Sequence, residues 1–202
     1  MLHHRQFDSY NEYVVMQGAK VNRPGNPYRE SNPQYVKAYT QLFKRVGPYL
    51  NPGKILCLGA RAGWEVEGAI NAGFLGSFGI DLHPGTDMVT KVDWHDMPFV
   101  DGVFPNIFTN SIDHCLDFPK LVSEIHRVLM PNGVFFLTAT QYKEWKLKPI
   151  EARMAKSLEA LFWDDTDDLL PEFENGGFTI FKSWREKTRS FYFMRKTDGN
   201  KS

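Results

Sequence analysis

The sequence predicts a doubly wound α/β domain, mostly parallel, that ends in an antiparallel hairpin. Three observations predict it. Short apolar runs alternate with amphipathic helical segments between Lys54 and Thr138, the βαβα order of a parallel sheet covered on both faces. The stretch KILCLGARAGWEVEGAINAGFLGSFGIDLHP reads as strand, glycine turn, helix, second strand and acidic tip, a nucleoside-binding βαβ unit. Near the C-terminus, Phe178–Trp184 and Ser190–Arg195 are β-rich runs separated by the polar REKTR, as in a hairpin.

The first strand of the central unit is Lys54–Leu58, an apolar run that ends abruptly at Gly59. Gly59 and Gly63 bracket a turn. The helix that follows, Trp64 to Ala72, places Val66, Ala69 and Ile70 on one stripe, and Gly73 stops it. Ser77–Leu82 is the second strand. Asp81 at its end falls 22 residues after Gly59, the position of a ribose-binding carboxylate. A dinucleotide fingerprint needs glycines where this chain has Arg61 and Trp64, so a pyrophosphate ligand is disfavoured. S-adenosylmethionine, which has none, suits the turn; the other reading is an ordinary glycine turn of any α/β protein.

Residues 1–32 are polar and Tyr-rich, either an arm over a pocket or a flexible terminus. Asn32-Pro33 opens a helix through Val46, with Tyr35, Tyr39, Leu42 and Phe43 on one face. Met88–Val92 is a third strand, and Asp93 and Trp94 follow it on the rim shared by Gly59 and Asp81. There Asp93 can accept from an adenine amine while Trp94 covers a face, or the Asp93-x-x-Asp96 pair caps a turn. Asn106–Thr109 continues Val103-Phe104 as the fourth strand, and Asn110 to His114 follow its end. The helix Pro119–Met130 carries Leu121, Val122, Ile125, Val128 and Leu129 inward; Pro131-Asn132-Gly133 ends it, and Val134–Thr138 is the fifth strand. Ile150–Trp163 reads as a further helix, Leu169–Asn175 as a short helical turn, and Thr197–Ser202 as a frayed end.

Composition narrows the classes. At 202 residues one domain is the natural count. The charges balance, 24 basic against 24 acidic, so no overall field points to bulk nucleic-acid binding or an anionic membrane. Cys57 and Cys115 form no disulfide or zinc pattern and suit a reducing compartment. No run is apolar enough for a membrane span or signal peptide, so the expected location is cytoplasmic.

These residues together resemble the class I S-adenosylmethionine-dependent methyltransferases, in particular the small core-domain type. The similarity runs from Pro52 to Arg195 through ILCLGARAG, GIDLHP, VDWHDMPFVDGVF and NSIDHCLDFPKLVSEIHRVLMPNGVFFL. The resemblance implies a Rossmann-like sheet of seven strands ending in the hairpin. It divides the chain into an N-terminal arm and helix (1–50), a methyltransferase domain (51–196) and a tail (197–202). Carried over by position, Gly59, Ala60 and Gly63 line the methionine end of the cofactor and Asp81 holds the ribose. Leu82 packs on the adenine, Asp93 and Trp94 meet its edge, and Asn110 lies beneath the sulfonium. The chain departs from the pattern at Cys57, where the family usually has an acid, and at Arg61, where it usually has a glycine. Arg61 either recruits the cofactor's carboxylate or obstructs the site.

Methyl transfer asks a protein mainly for positioning and desolvation. A hydroxyl acceptor needs a general base, for which His114 on the active rim is the candidate and His95 the second choice. No acid cluster in the sequence suggests a metal. Lys143, Lys146, Lys148, Arg153 and Lys156, with Tyr142 and Trp145, either meet an anionic acceptor such as a sugar nucleotide or form a solvated approach. The expected acceptor is a sugar, glycan, other small molecule or protein. Two rivals stand beside this reading: a degenerate partner subunit, for which Arg61 and Cys57 argue, and an oxidoreductase, which Arg61 and Trp64 disfavour.

Overall fold

A computed structural model describes residues 1–22, 32–141, 149–155 and 157–197. Its centre is a seven-stranded sheet in the order β4-β3-β2-β5-β6-β9-β8. The strands are β2 (Ile55–Leu58), β3 (Phe78–Asp81), β4 (Val89–Lys91), β5 (Phe104–Thr109), β6 (Leu129–Thr140), β8 (Phe178–Glu186) and β9 (Arg189–Lys196). Pairing is parallel from β4 to β6, and the β8–β9 hairpin adds to β6 antiparallel. The seven-stranded expectation therefore holds.

Side chains alternate across a strand, and the sheet builds one core on each face. Leu56, Leu58, Ile80, Ile107, Phe135 and Leu137 face α4 (Phe118–Val128), whose Leu121, Val122, Ile125 and Val128 are buried against them. Ile55, Cys57, Phe108, Phe136 and Phe193 face the other way, toward α2 (Pro33–Val46) and α3 (Trp64–Asn71). Phe43 of α2 anchors this second core edge-on to Phe108, with ring centroids 5.2 Å apart. Truncating so deeply buried a ring costs about 3–5 kcal/mol. Asn32 caps α2 by accepting from the Gln34 amide, and Pro33 fits its first turn. Asp117 caps α4 through the Lys120 amide.

Three segments differ from the sequence reading. The first 22 residues are ordered as β1 (Leu2–His4) and α1 (Tyr10–Asn22). The α1 helix lacks a strong apolar stripe and is held instead by specific bonds. Tyr13 OH donates to His114 O (3.0 Å), Gln17 Nε2 to Leu158 O (3.3 Å), and His83 Nε2 meets Val14 O (3.1 Å). Residues 150–163 are not one helix: α5 (Ile150–Met154) is short, and Leu161–Trp163 is strand β7, paired antiparallel with β1. Leu161, Phe162 and Trp163 are all buried, a run suited to a covered strand and not to a one-sided helix. Finally α4 stops at Val128, and β6 begins already at Leu129, pairing with Phe104 before Asn132 turns the chain at φ 60°. The short helix α6 (Leu170–Asn175) stands where the sequence predicts it. No helix among the described residues is long and apolar enough to cross a membrane.

Candidate active site

The sheet order reverses between β2 and β5. The chain leaves β2 toward β3 and β4 on one side, then returns to β5 and β6 on the other. Such a switch point opens a crevice at the carboxyl ends of the strands. Gly59 ends β2 there with φ +70°, and a Cβ on it would lie 2.9 Å from Ser111 Cβ and 3.2 Å from the Trp94 ring. The residue must be glycine because the β5 loop and Trp94 close on its backbone. Gly63 starts α3 with φ +74°, where a Cβ would meet Thr86 Cγ2 at 2.7 Å.

Above this turn lies a cavity of about 1190 Å³. Of the residues the sequence predicts for the site, Gly59, Ala60, Arg61, Asp81, Leu82, Trp94, Asn110 and His114 line it. Asp81 is buried, with Oδ2 accepting from the Arg61 amide (3.2 Å) and Oδ1 from the His83 amide (2.7 Å). These two bonds fix the carboxylate and leave lone pairs open for a ligand. The Arg61 side chain folds back toward it, Nε 3.8 Å from Oδ1.

Gly63 and Asp93 do not line the cavity. Gly63 serves the turn, packed against the segment before β4. The Asp93 carboxylate is engaged within the protein: Oδ1 accepts from the His95 amide (2.9 Å) and Nδ1 (2.8 Å), and Oδ2 accepts from Tyr10 OH (2.6 Å). Burial pushes this carboxyl up, but the bonds from His95 and Tyr10 outweigh it and bring it down to about 2. His95 is not a free base either. It is 4% exposed, and its Nε2 accepts from the Asp117 amide at 3.2 Å, so it joins the loop after β4 to the start of α4.

Two features escape the sequence reading. Glu65, in the first turn of α3, points into the cavity while 8% exposed, and burial pushes its carboxyl up to about 7. An acid in a first helical turn reads as a solvated partner of the helix dipole, so its sequence position carries no signal. Asp113, His114 and Glu159 also converge, their ligand atoms within 4.8 Å of one another. Glu159 comes from the loop before β7, far away in sequence. His114 Nε2 lies 3.9 Å from Asp113 Oδ1, and Tyr13 holds the His114 backbone. Of the basic run, Arg153 is buried and bonded to Asp164 (3.1 Å). Lys143, Lys146, Lys148, Lys156, Tyr142 and Trp145 lie outside the described residues.

Three buried side-chain polar atoms have no hydrogen-bond partner among the described residues: Arg61 Nε, Trp94 Nε1 and Ser157 Oγ. All three belong to residues that line this one cavity. Buried polar groups are seldom left unpaired, and their gathering here marks a surface built for a polar ligand.

A family model described as a methyltransferase domain matches residues 56–137, from within β2 to within β6. That span holds the glycine turn, Asp81, Trp94, Asn110 and His114. Over that stretch the chain is similar to a methyltransferase domain. Solved structures share the fold. One is the Burkholderia thailandensis 1,6-didemethyltoxoflavin-N1-methyltransferase with bound 1,6-didemethyltoxoflavin and S-adenosylhomocysteine (TM-score 0.67, 14% identity, 96% of this chain and 93% of that one). A second is the PH0226 protein of Pyrococcus horikoshii (TM-score 0.61, 18% identity, 94% and 100%). A third comes from a complex of the Haloferax volcanii Trm112 methyltransferase activator with a methyltransferase (TM-score 0.62, 14% identity, 82% and 95%). No curated protein sequence matches the chain. The residues of the site fit S-adenosylmethionine: a tight glycine turn, a buried fixed carboxylate and donors without a hydrogen-bond partner among the described residues share one cavity.

Proposed function

We propose that this protein transfers a methyl group from S-adenosylmethionine to a small polar acceptor, such as a sugar, a glycan end or another small molecule. The gathering of all three unpartnered buried polar atoms around the switch-point cavity carries this reading. Bound there, the cofactor supplies a methyl group on a sulfonium, poised for in-line displacement.

The chain's own residues do the rest. Gly59 and Ala60 line the cavity at the end of β2 and offer it their backbone. Asp81 accepts from the ribose hydroxyls, while Leu82 and Trp94 supply the apolar walls for the adenine. Trp94 Nε1, without a hydrogen-bond partner among the described residues, can donate to the ligand, as can Arg61 Nε, whose contact with Asp81 is a 3.8 Å ion pair and not a hydrogen bond. Asn110 stands at the end of β5, beside the reacting centre, and Tyr13 and Gln17 of α1 close the roof against water. Where the acceptor is a hydroxyl, His114 takes its proton, with the Asp113 carboxylate beside the imidazole.

The cavity of about 1190 Å³ exceeds the roughly 300–1,000 Å³ of a single small-ligand site. Room for an acceptor beside the cofactor follows. Thr138, Thr140 and Arg189, at the ends of β6 and β9, give that remaining wall a polar character. Arg61 lies along Asp81 and does not fill the space, which counts against a degenerate site. The test is incubation with methyl-labelled S-adenosylmethionine and pools of sugar, nucleotide-sugar and amine acceptors. Label transferred to a pool member, and lost with Asp81→Ala, supports the reading. No transfer to any pool by a protein that binds the cofactor would return the partner-subunit reading.

A further inference from the structure

Glu65 is a buried carboxylate for which the proposed chemistry has no use. Resting on the cofactor reading above, we infer that Glu65, with Tyr39 and Asn110, forms the subsite for the ammonium group at the amino-acid end of the cofactor.

Position comes first. Glu65 lies two residues after Gly63, in the first turn of α3, and lines the same cavity as Asp81 and Asn110. Its contacts come next. Asn110 Nδ2 reaches Glu65 Oε1 at 3.5 Å and Tyr39 OH at 2.6 Å, and Tyr39 is itself hydrogen-bonded to Glu65. Both partners are neutral, and Glu65 forms no ion pair among the described residues. The charged group that acts on it from across the cavity is Asp81, which repels it. The nearby cation, Arg61, lies along Asp81. The other groups facing Glu65 are the buried thiol of Cys57 from β2 and the Tyr39 phenol from α2, and neither is cationic.

A buried carboxylate without a cation is costly to keep. One that faces a ligand cavity is matched by a cation the ligand brings. The donor type can be specified further. A sulfonium has no N–H, whereas a primary ammonium has three, suited to a carboxylate and the neighbouring amide and phenol oxygens. Cys57 stands beneath the same corner, and its thiol is itself pushed up by burial and by the Glu65 charge. The acid in this corner therefore comes from helix α3 and not from strand β2.

The titration of Glu65 gives a second readout. With burial holding its carboxyl near 7, an ammonium must displace its proton at neutral pH. Binding should release a proton and be roughly tenfold weaker at pH 6 than at pH 8.

The experiment is calorimetric titration of the full chain with S-adenosylhomocysteine and with 5′-S-(3-carboxypropyl)-5′-thioadenosine, which keeps the carboxylate and lacks the amine. The wild type should bind the amine-containing ligand roughly ten- to hundredfold more tightly, and Glu65→Gln should erase most of that preference together with the proton release. Equal binding of the two ligands by the wild type, which needs no variant to fold, overturns the inference. So does a preference that survives in Glu65→Gln. If neither adenosyl ligand binds the wild type, the cofactor reading fails, and this inference with it.

Discussion

Arg61 Nε lies 3.8 Å from Asp81 Oδ1, and the Arg61 backbone amide donates to the other oxygen of the same carboxylate at 3.2 Å. Arg61 thus braces the carboxylate proposed to hold the ribose. Removing that acid should be the most damaging local change to cofactor binding. Asp81→Ala is expected to weaken S-adenosylhomocysteine binding by about 1.5–3 kcal/mol, the worth of hydrogen bonds to a charged group. Calorimetry on the folded variant checks it.

His114 faces the cavity with Asp113 beside it, and its backbone oxygen is tied to α1 by Tyr13. Acting on the acceptor and not on the cofactor, it should separate chemistry from binding. With a hydroxyl acceptor, His114→Asn is expected to lower the transfer rate by about a hundredfold. S-adenosylhomocysteine affinity should stay within about twofold, because uniform binding is untouched.

Much of this was legible in the sequence, for physical reasons. The strands β2, β3, β5 and β6 are buried on both faces and read as apolar runs, and the switch-point residues follow them directly. What escaped is what tertiary contact alone decides. Tyr13 and Gln17 are buried by polar bonds to residues more than a hundred positions away, not by an apolar stripe. Leu161–Trp163 becomes a strand only because Leu2–His4 pairs with it. Asp93 lies outside the cavity lining, its oxygens accepting from His95 and Tyr10, contacts that the sequence does not show. Glu65 stands in a first helical turn, a place that also suits a solvated acid, and only the packing of α3 buries it.

The Tyr10–Asp93 bond fastens α1 to the loop after β4 and should make the roof acid-labile. Asp93 titrates at about 2 in the folded protein, below the usual value near 3.9 for an unfolded chain. A depressed carboxyl contributes stability in full above the unfolded value and loses it as pH falls toward about 2. Protease cleavage or hydrogen exchange in residues 1–22 should therefore rise between about pH 4 and pH 2. Asp93→Asn should flatten that response, and Tyr10→Phe should reduce stability by about 1 kcal/mol.

Glu65 has the opposite sign. Its carboxyl is raised to about 7, so the folded ligand-free protein holds a proton that the unfolded chain releases near its ordinary value of about 4.3. Stability should fall as pH rises from about 4.5 to about 7. Thermal melts of Glu65→Gln should lose that slope.

Gly59 combines φ +70° with a Cβ position 2.9 Å from Ser111 Cβ. Gly59→Ala is expected to destabilise the fold by about 1–3 kcal/mol, and to abolish ligand binding in the fraction that folds. Melts with and without S-adenosylhomocysteine separate the two effects.

The central claim is that the switch-point cavity binds an adenosyl cofactor. Calorimetric titration of the purified chain with S-adenosylhomocysteine, with NADH as control, tests it most directly. One-to-one binding of the first, absent for the second and weakened by Asp81→Ala, is the predicted result. Absence of S-adenosylhomocysteine binding by the folded protein would contradict the claim.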